Sequence, residues 1–252
     1  MKLEYRGNIG AIKLNRENQR NSFTLELMLD LIEAAKWFNA RSKVKVVIIS
    51  GNGPSFCAGF DMNFFSLETS ALEVRKNVAW GPKLVEAIAN MQAITIASVH
   101  GHCIGGGVML MAACDFRYVS TDASFWLPEV EIGIPLAWGG IPLLVREIGP
   151  LLTTEFVLLG ESINADAALR MGLIHGVVER EELTGHVSRL AQKLCSLSSF
   201  VLQTTKQQIT AARESITSGV PSFCDAHLLY AALLDDESRK TRSGYLERFG
   251  HR

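Results

Sequence analysis

The chain has 252 residues, 48% of them apolar and 20% charged, and its 25 Lys and Arg against 26 Asp and Glu leave a formal charge of −1. That length and balance suit one large α/β domain with an appended piece and exclude an intrinsically disordered chain. They also exclude the broad positive field that nucleic-acid binding uses; the densest basic group, Arg239, Lys240 and Arg242, reads as a solvated tail.

Met1 to Gly7 has neither the apolar core of a secretory signal nor the Arg/Ser bias of a transit peptide, so a cytoplasmic location is expected. Ile9 to Leu14 alternates like a strand and leads into a polar loop over Asn15 to Asn21. From Thr24 onward, Leu27, Met28, Leu31, Ile32 and Ala35 fall at helical spacing and predict an amphipathic helix that packs on a sheet. Val44 to Ser50 is a β-branched run that ends at Gly51-Asn52-Gly53-Pro54, as a buried strand emptying into a loop does. Ile94 to His100 repeats the pattern, followed by Gly101, Gly105-Gly106-Gly107 and a helical stretch from Val108 to Ala113.

A third segment, Ala123 to Leu127, runs into Pro128-Glu129, Gly133-Ile134-Pro135 and Trp138-Gly139-Gly140. Helical patterns follow at Leu151 to Leu159, Ala165 to Met171, Leu183 to Leu194, Phe200 to Arg213 and Cys224 to Leu234. The plan is therefore α/β over residues 1–194, with a helical region over 195–252. The longest apolar run, Ile104 to Cys114, is too short and glycine-rich to cross a bilayer, so no membrane partner is expected. The five cysteines are odd in number and lack a C-x-x-C pair, which predicts reduced core thiols. No His, Cys, Asp and Glu cluster has metal-ligand spacing, so no metal is expected.

Chemistry is expected at the two glycine-rich loops, Ser55 to Met62 and Gly101 to Gly107, because a glycine turn at a strand end lets backbone N–H groups point at a ligand. Each loop alone is equally a tight turn. Neither carries the Gly-x-Gly-x-x-Gly spacing or a Gly-Lys-Ser/Thr sequence, which argues against a nucleotide-phosphate cradle. His100 and His102 flank the second loop without a serine or cysteine nucleophile in a credible local signature.

Four ordered pieces, namely Leu14 to Asn21, Ser55 to Met62, Val99 to Gly107 with Cys114-Asp115, and Pro128-Glu129 before Gly133-Ile134-Pro135, resemble the enoyl-CoA hydratase/isomerase (crotonase) superfamily over nearly the whole chain. The resemblance implies a spiral of ββα units and a helical C-terminal region that makes trimers, often paired into hexamers. It implies an acyl-CoA thioester substrate, with coenzyme A as part of the substrate and no separate cofactor. The backbone N–H groups of Phe60 and Gly106 are implied to hold the thioester oxygen. Ala58, Met62, Gly105 and Met109 are implied to lie beside the substrate, Asp61 to order its loop, and Arg20, Ser22 and Phe23 to lie against the CoA, where Arg20 is equally an ordinary surface arginine.

Hydratases of this type resemble one another in having two glutamates, and only the second, Glu129, is present here; the other position holds Met109. Methionine cannot move a proton, which points away from two-carboxylate activation of water and toward a single-base double-bond shift by Glu129. Apolar neighbours are expected to raise the pKa of Glu129. Glu131 ranks second, since an extended strand would place it on the same face. Met109 is either core filling or an apolar wall of the acyl pocket, and Trp126 and Trp138 are either simple packing or further wall. Hydration or lyase chemistry by one glutamate is the alternative, and a non-catalytic scaffold a third reading.

Overall fold

The computed structural model describes residues 1–61, 78–216 and 225–249. Its larger sheet has the order β1-β2-β3-β4-β6-β9, built from β1 (Lys2–Arg6), β2 (Ile9–Leu14), β3 (Val46–Gly51), β4 (Ile94–Val99), β6 (Phe116–Ser120) and β9 (Gly176–Val178). Among the described pairs of this sheet only β1/β2 is antiparallel. The smaller sheet, β5-β7-β8, joins β5 (His102–Ile104), β7 (Ser124–Trp126) and β8 (Ile163–Asn164).

Alternation along the parallel strands explains why both faces of the large sheet are covered. Val47, Ile49, Ala97 and Val99 face the main core, where α1 (Leu25–Asn39) contributes Leu27, Met28, Leu31 and Phe38. Val46, Ile94 and Ile96 face the other way, onto Leu183, Val187, Ala191 and Leu194 of α6 (Arg180–Cys195). The predicted helix after Thr24 is α1, and the Thr24 hydroxyl oxygen caps it by accepting from the Leu27 N–H at 3.3 Å.

Two successive turns of the chain each lay one strand in each sheet and then a helix. Thus β4 and β5 precede α3 (Gly106–Ala112), and β6 and β7 precede α4 (Gly140–Leu158); between β3 and β4 lies α2 (Trp80–Ala89). The helix expected at Leu151 to Leu159 is the second half of α4, which begins earlier and kinks at Gly149 (φ 77, ψ 165) before Pro150. Proline restricts the residue before it to extended backbone, and glycine accepts that conformation at positive φ.

The remaining helices are α5 (Ala165–Arg170), α6, α7 (Ser199–Ile216), α8 (Asp225–Leu234) and α9 (Asp236–Phe249). Helix α7 is fastened to the core by Lys206, whose buried ammonium donates to the Ala93 carbonyl at 3.0 Å and to Asp115 Oδ2 at 2.7 Å. The same carboxylate oxygen accepts from the N–H and hydroxyl of Thr95. The basic group expected as a solvated tail lies instead in α9, with Arg242 buried and Nη2 on the Leu233 carbonyl. The long aliphatic stem of arginine lets such a residue pack while its head finds backbone acceptors.

Among the described residues, Cys57, Cys103 and Cys114 are buried and reduced. Burial pushes the Cys57 thiol up to about 12, which makes it inert packing. Among the described residues, no helix is long and apolar enough to cross a membrane, and no three His, Cys, Asp or Glu converge.

Candidate active site

The two glycine-rich loops meet side by side because backbone bridges join them. The Cys57 N–H donates to the His102 carbonyl at 3.1 Å, and the Ile104 N–H donates to the Cys57 carbonyl at 2.9 Å. On the outer side, the Phe23 N–H donates to the Gly59 carbonyl at 2.7 Å and the Asp61 N–H to the Phe23 carbonyl at 3.0 Å. In that parallel bridge the residue opposite Phe23 is Phe60, so the N–H of Phe60 points away from Phe23. Gly59, at φ 85, lies so close to β5 that a Cβ there would stand 2.9 Å from the Ile104 carbonyl oxygen.

Asn21 holds the outer loop from below. It is fully buried, its Nδ2 donates to the carbonyls of Asn52 and Ser55 at 2.8 and 2.9 Å, and its Oδ1 accepts from the Arg16 N–H at 2.8 Å. The Arg20 carbonyl accepts from the Ala58 N–H at 2.9 Å, so Arg20, Ser22 and Phe23 edge the loop, with the Arg20 side chain exposed. None of these three, nor Asp61, lines the cavity described next, and Met62 lies outside the described residues.

A cavity of about 140 Å³ lies beneath the joined loops and is lined by Ala58, Phe60, Gly105, Gly106, Met109 and Glu129. All six are residues the sequence singles out. Gly106 opens α3, so its N–H belongs to the first turn, where the helix supplies no carbonyl. Met109 is both core and wall: it is buried, lines the cavity and packs against Gly140.

Glu129 stands in a turn, not in the extended strand that the sequence suggests. The Ile132 N–H donates to the Pro128 carbonyl and the Ile134 N–H to the Glu129 carbonyl, both at 2.9 Å. The turn separates the two glutamates: Glu129 lines the cavity, whereas Glu131 packs toward Gly160. Glu129 is only half-buried as a residue, but its carboxylate end is inside, and Oε2 has no hydrogen-bond partner among the described residues. Burial pushes its pKa up from 4.5 to about 7, against a small opposing effect of its own backbone N–H.

The C-terminal helices return to this site, which no local pattern announces. Leu229 of α8 and Tyr245 of α9 line the cavity beside Ile132 and Ile134. The hydroxyl of Tyr245 is pushed up to about 12, first by burial and then by the carboxylates of Glu131 and Glu129, so it stays protonated. Trp126 and Trp138, offered by the sequence as packing or as wall, both line the cavity, and Trp126 Nε1 donates to the Gly160 carbonyl at 2.5 Å.

Gly105, at φ 50, leaves room for the glutamate: a Cβ there would stand 2.8 Å from Glu129 Oε1. Gly105→Ala is therefore expected to cost about 1–3 kcal/mol through its backbone alone, since φ 50 with ψ −117 is sparsely populated by residues that carry a Cβ, and to displace the carboxylate. Thermal melting and turnover of the same variant check the two effects.

The whole chain adopts the crotonase fold: an enoyl-CoA hydratase/isomerase from Xanthobacter autotrophicus Py2 superposes with a TM-score of 0.89 at 24% identity, over 99% of this chain and 93% of that one. The family model for enoyl-CoA hydratase/isomerase matches residues 4–251. The chain is 33% identical over 219 residues to a crotonyl-CoA hydratase from Syntrophomonas wolfei subsp. wolfei, covering 86% of this chain and 83% of that protein. It is 30% identical over 220 residues to a peroxisomal Delta(3,5)-Delta(2,4)-dienoyl-CoA isomerase from Arabidopsis thaliana, covering 82% and 79%. The protein belongs to the enoyl-CoA hydratase/isomerase family and is an enzyme of that family.

Proposed function

We propose that the protein shifts the double bond of an acyl-CoA thioester from the 3- to the 2-position, with Glu129 as the single acid/base. The observation that carries this reading is the buried carboxyl group of Glu129, the only Asp or Glu side chain among the described residues that line the cavity. As carboxylate it takes a proton from the α-carbon of a bound 3-enoyl-CoA, and the electron pair moves onto the thioester oxygen as a dienolate. The Glu129 carboxylic acid then returns that proton to the γ-carbon, the oxygen charge collapses back to the carbonyl, and a 2-enoyl-CoA results. No water enters the balance.

The N–H groups of Phe60 and Gly106 are the donors for the enolate oxygen in this proposal; one such donor contributes about 10²- to 10³-fold in rate. Asp61 orders the loop, and Arg20, Ser22 and Phe23 lie on the side where the CoA would rest, with Arg20 suited to a phosphate. Coenzyme A enters only as part of the substrate. The α7 to α9 region is proposed to form a homotrimer, singly or paired.

Hydration is the second reading, supported by the crotonyl-CoA hydratase relative. One assay separates the two: the absorbance of the conjugated thioester is followed with a 3-enoyl-CoA and, separately, a 2-enoyl-CoA. Growth of the band from the 3-enoyl substrate is expected. Decay of the band from the 2-enoyl substrate would replace the isomerase reading with hydration, and silence from both would sink the enzymatic reading for simple enoyl groups.

A further inference from the structure

We propose that Trp138 is the residue that sets the length of the acyl group, as a partition between the substrate cavity and a second cavity beside it. The inference rests on the acyl-CoA reading above and names the determinant of its substrate range. The cavity at Glu129 is small, about 140 Å³, close to the ~150 Å³ that holds a benzene molecule in an apolar protein interior. Beside it lies a larger space of about 440 Å³, lined by Pro82, Val85 and Leu143 as well as by the charged Glu86, Arg146 and Glu214. Trp138 is the one described residue that lines both.

The indole is held as a fixed wall. It is 7% exposed, with its ring 5.1 Å from that of Phe23 and 6.3 Å, edge-on, from that of Phe60. Two glycines make room for it: a Cβ on Gly81 would stand 2.2 Å from the indole, and one on Gly106 would stand 2.7 Å away. Its backbone lies in the left-handed region at φ 64, which a bulky side chain rarely adopts. Such an outlier persists only where its surroundings enforce it. The next residue supplies the enforcement, since the Gly139 N–H donates to Asp225 Oδ2 of α8 at 2.7 Å.

The wall gives the wild-type pocket a preference for short, uncharged hydrocarbon acyl groups. Trp138→Gly removes the partition at a position whose backbone suits glycine, and a longer chain then extends into the second cavity. The test measures binding of saturated acyl-CoA thioesters by calorimetry, because these have no double bond to shift or hydrate. Butanoyl-CoA is expected to bind wild type at least about tenfold more tightly than dodecanoyl-CoA. The ratio is expected to shift toward dodecanoyl-CoA by at least about tenfold in Trp138→Gly, an effect that burial of roughly two further methylenes supplies.

Trp138→Leu, which keeps an apolar side chain, serves if the glycine variant fails to fold, and is expected to shift the ratio in the same direction. Trp138→Phe keeps a ring and is expected to stay near wild type. Equal binding of both thioesters by wild type, or an unchanged ratio in the folded variants, overturns the proposal while leaving the acyl-CoA reading standing. If wild type binds no acyl-CoA at all, the reading on which the proposal rests falls, and the proposal with it.

Discussion

Glu129→Gln is expected to lower turnover of a 3-enoyl-CoA by about 10²- to 10⁴-fold, the range that a positioned acid/base supplies, while acyl-CoA affinity stays close to wild type. Glutamine fills the same space and keeps a carbonyl oxygen, but it cannot accept the α-proton. In the proposed mechanism the carboxylate form is the active one, so kcat/KM of the wild type should rise with pH through about 7 and then level off. A pH-independent rate, or full activity in the variant, would remove Glu129 from the mechanism.

The same residue couples activity to stability. Its folded pKa of about 7 lies above the ordinary 4.5, so the folded state binds the proton more tightly than the unfolded chain does. The stability contributed by that proton is fully present below about pH 4.5 and is lost as pH rises through about 7. Glu129→Gln, which carries no charge at any pH, should therefore be more stable than wild type at pH 8, with the difference narrowing toward pH 4. Denaturant titrations at the two pH values read this directly. Loss of activity with gain of stability at high pH is the signature of a buried acid/base held ready for the substrate.

Glu147→Ala is expected to destabilise the fold by about 3–5 kcal/mol, because it strands a buried cation. Glu147 on α4 pairs with Arg117 on β6, Nη2 to Oε2 at 2.5 Å, and with Arg213 on α7 through Oε1. Arg117 is buried, and among the described residues its Nε and Nη1 already lack partners. Burial pushes the Glu147 carboxyl up, but Arg117 and then Arg213 outweigh it and hold the pKa below the usual carboxylate range. A depressed folded pKa gives stability that is present above the unfolded value and lost as pH falls, so wild type should weaken in acid more steeply than the variant. Chemical denaturation of the pair across pH 3 to 7 checks the cost and its sign, and Arg117→Met combined with Glu147→Leu should recover much of it. A variant within about 0.5 kcal/mol of wild type, the scale of a neutral surface change, would show that the pair is not buried in solution.

Much of this arrangement was legible where periodicity and burial act locally. The β-branched runs of β3 and β4 and the apolar stripe of α1 read correctly because each must cover one face of the same core. The glycine-rich loops were legible as strand-to-loop transitions, whereas Glu129 was singled out by the resemblance of the ordered motifs to the family and not by any pattern of its own. The turn at Glu129 was not legible, because its backbone bonds to the Pro128 and Glu129 carbonyls leave no mark on the alternation of side chains. Strands β5, β7 and β8, two or three residues each, are too short to show a period. Tyr245, Leu229 and the buried Arg242 escaped for a further reason: their burial depends on how α8 and α9 fold back over distant residues, and a charged stretch gives no sign of it.

That return of the last two helices also sets the order in which the site can come into being. Glu129, Phe60 and Gly106 leave the ribosome well before Leu229 and Tyr245, so a nascent chain that still lacks α8 and α9 would expose more of its glutamate to water. Without that wall the carboxylate would lose part of the burial that raises its pKa, and water would reach the chamber. On the proposed mechanism, a chain that lacks α8 and α9 is therefore expected to lose activity, because Leu229 and Tyr245 are then missing from the wall of the cavity.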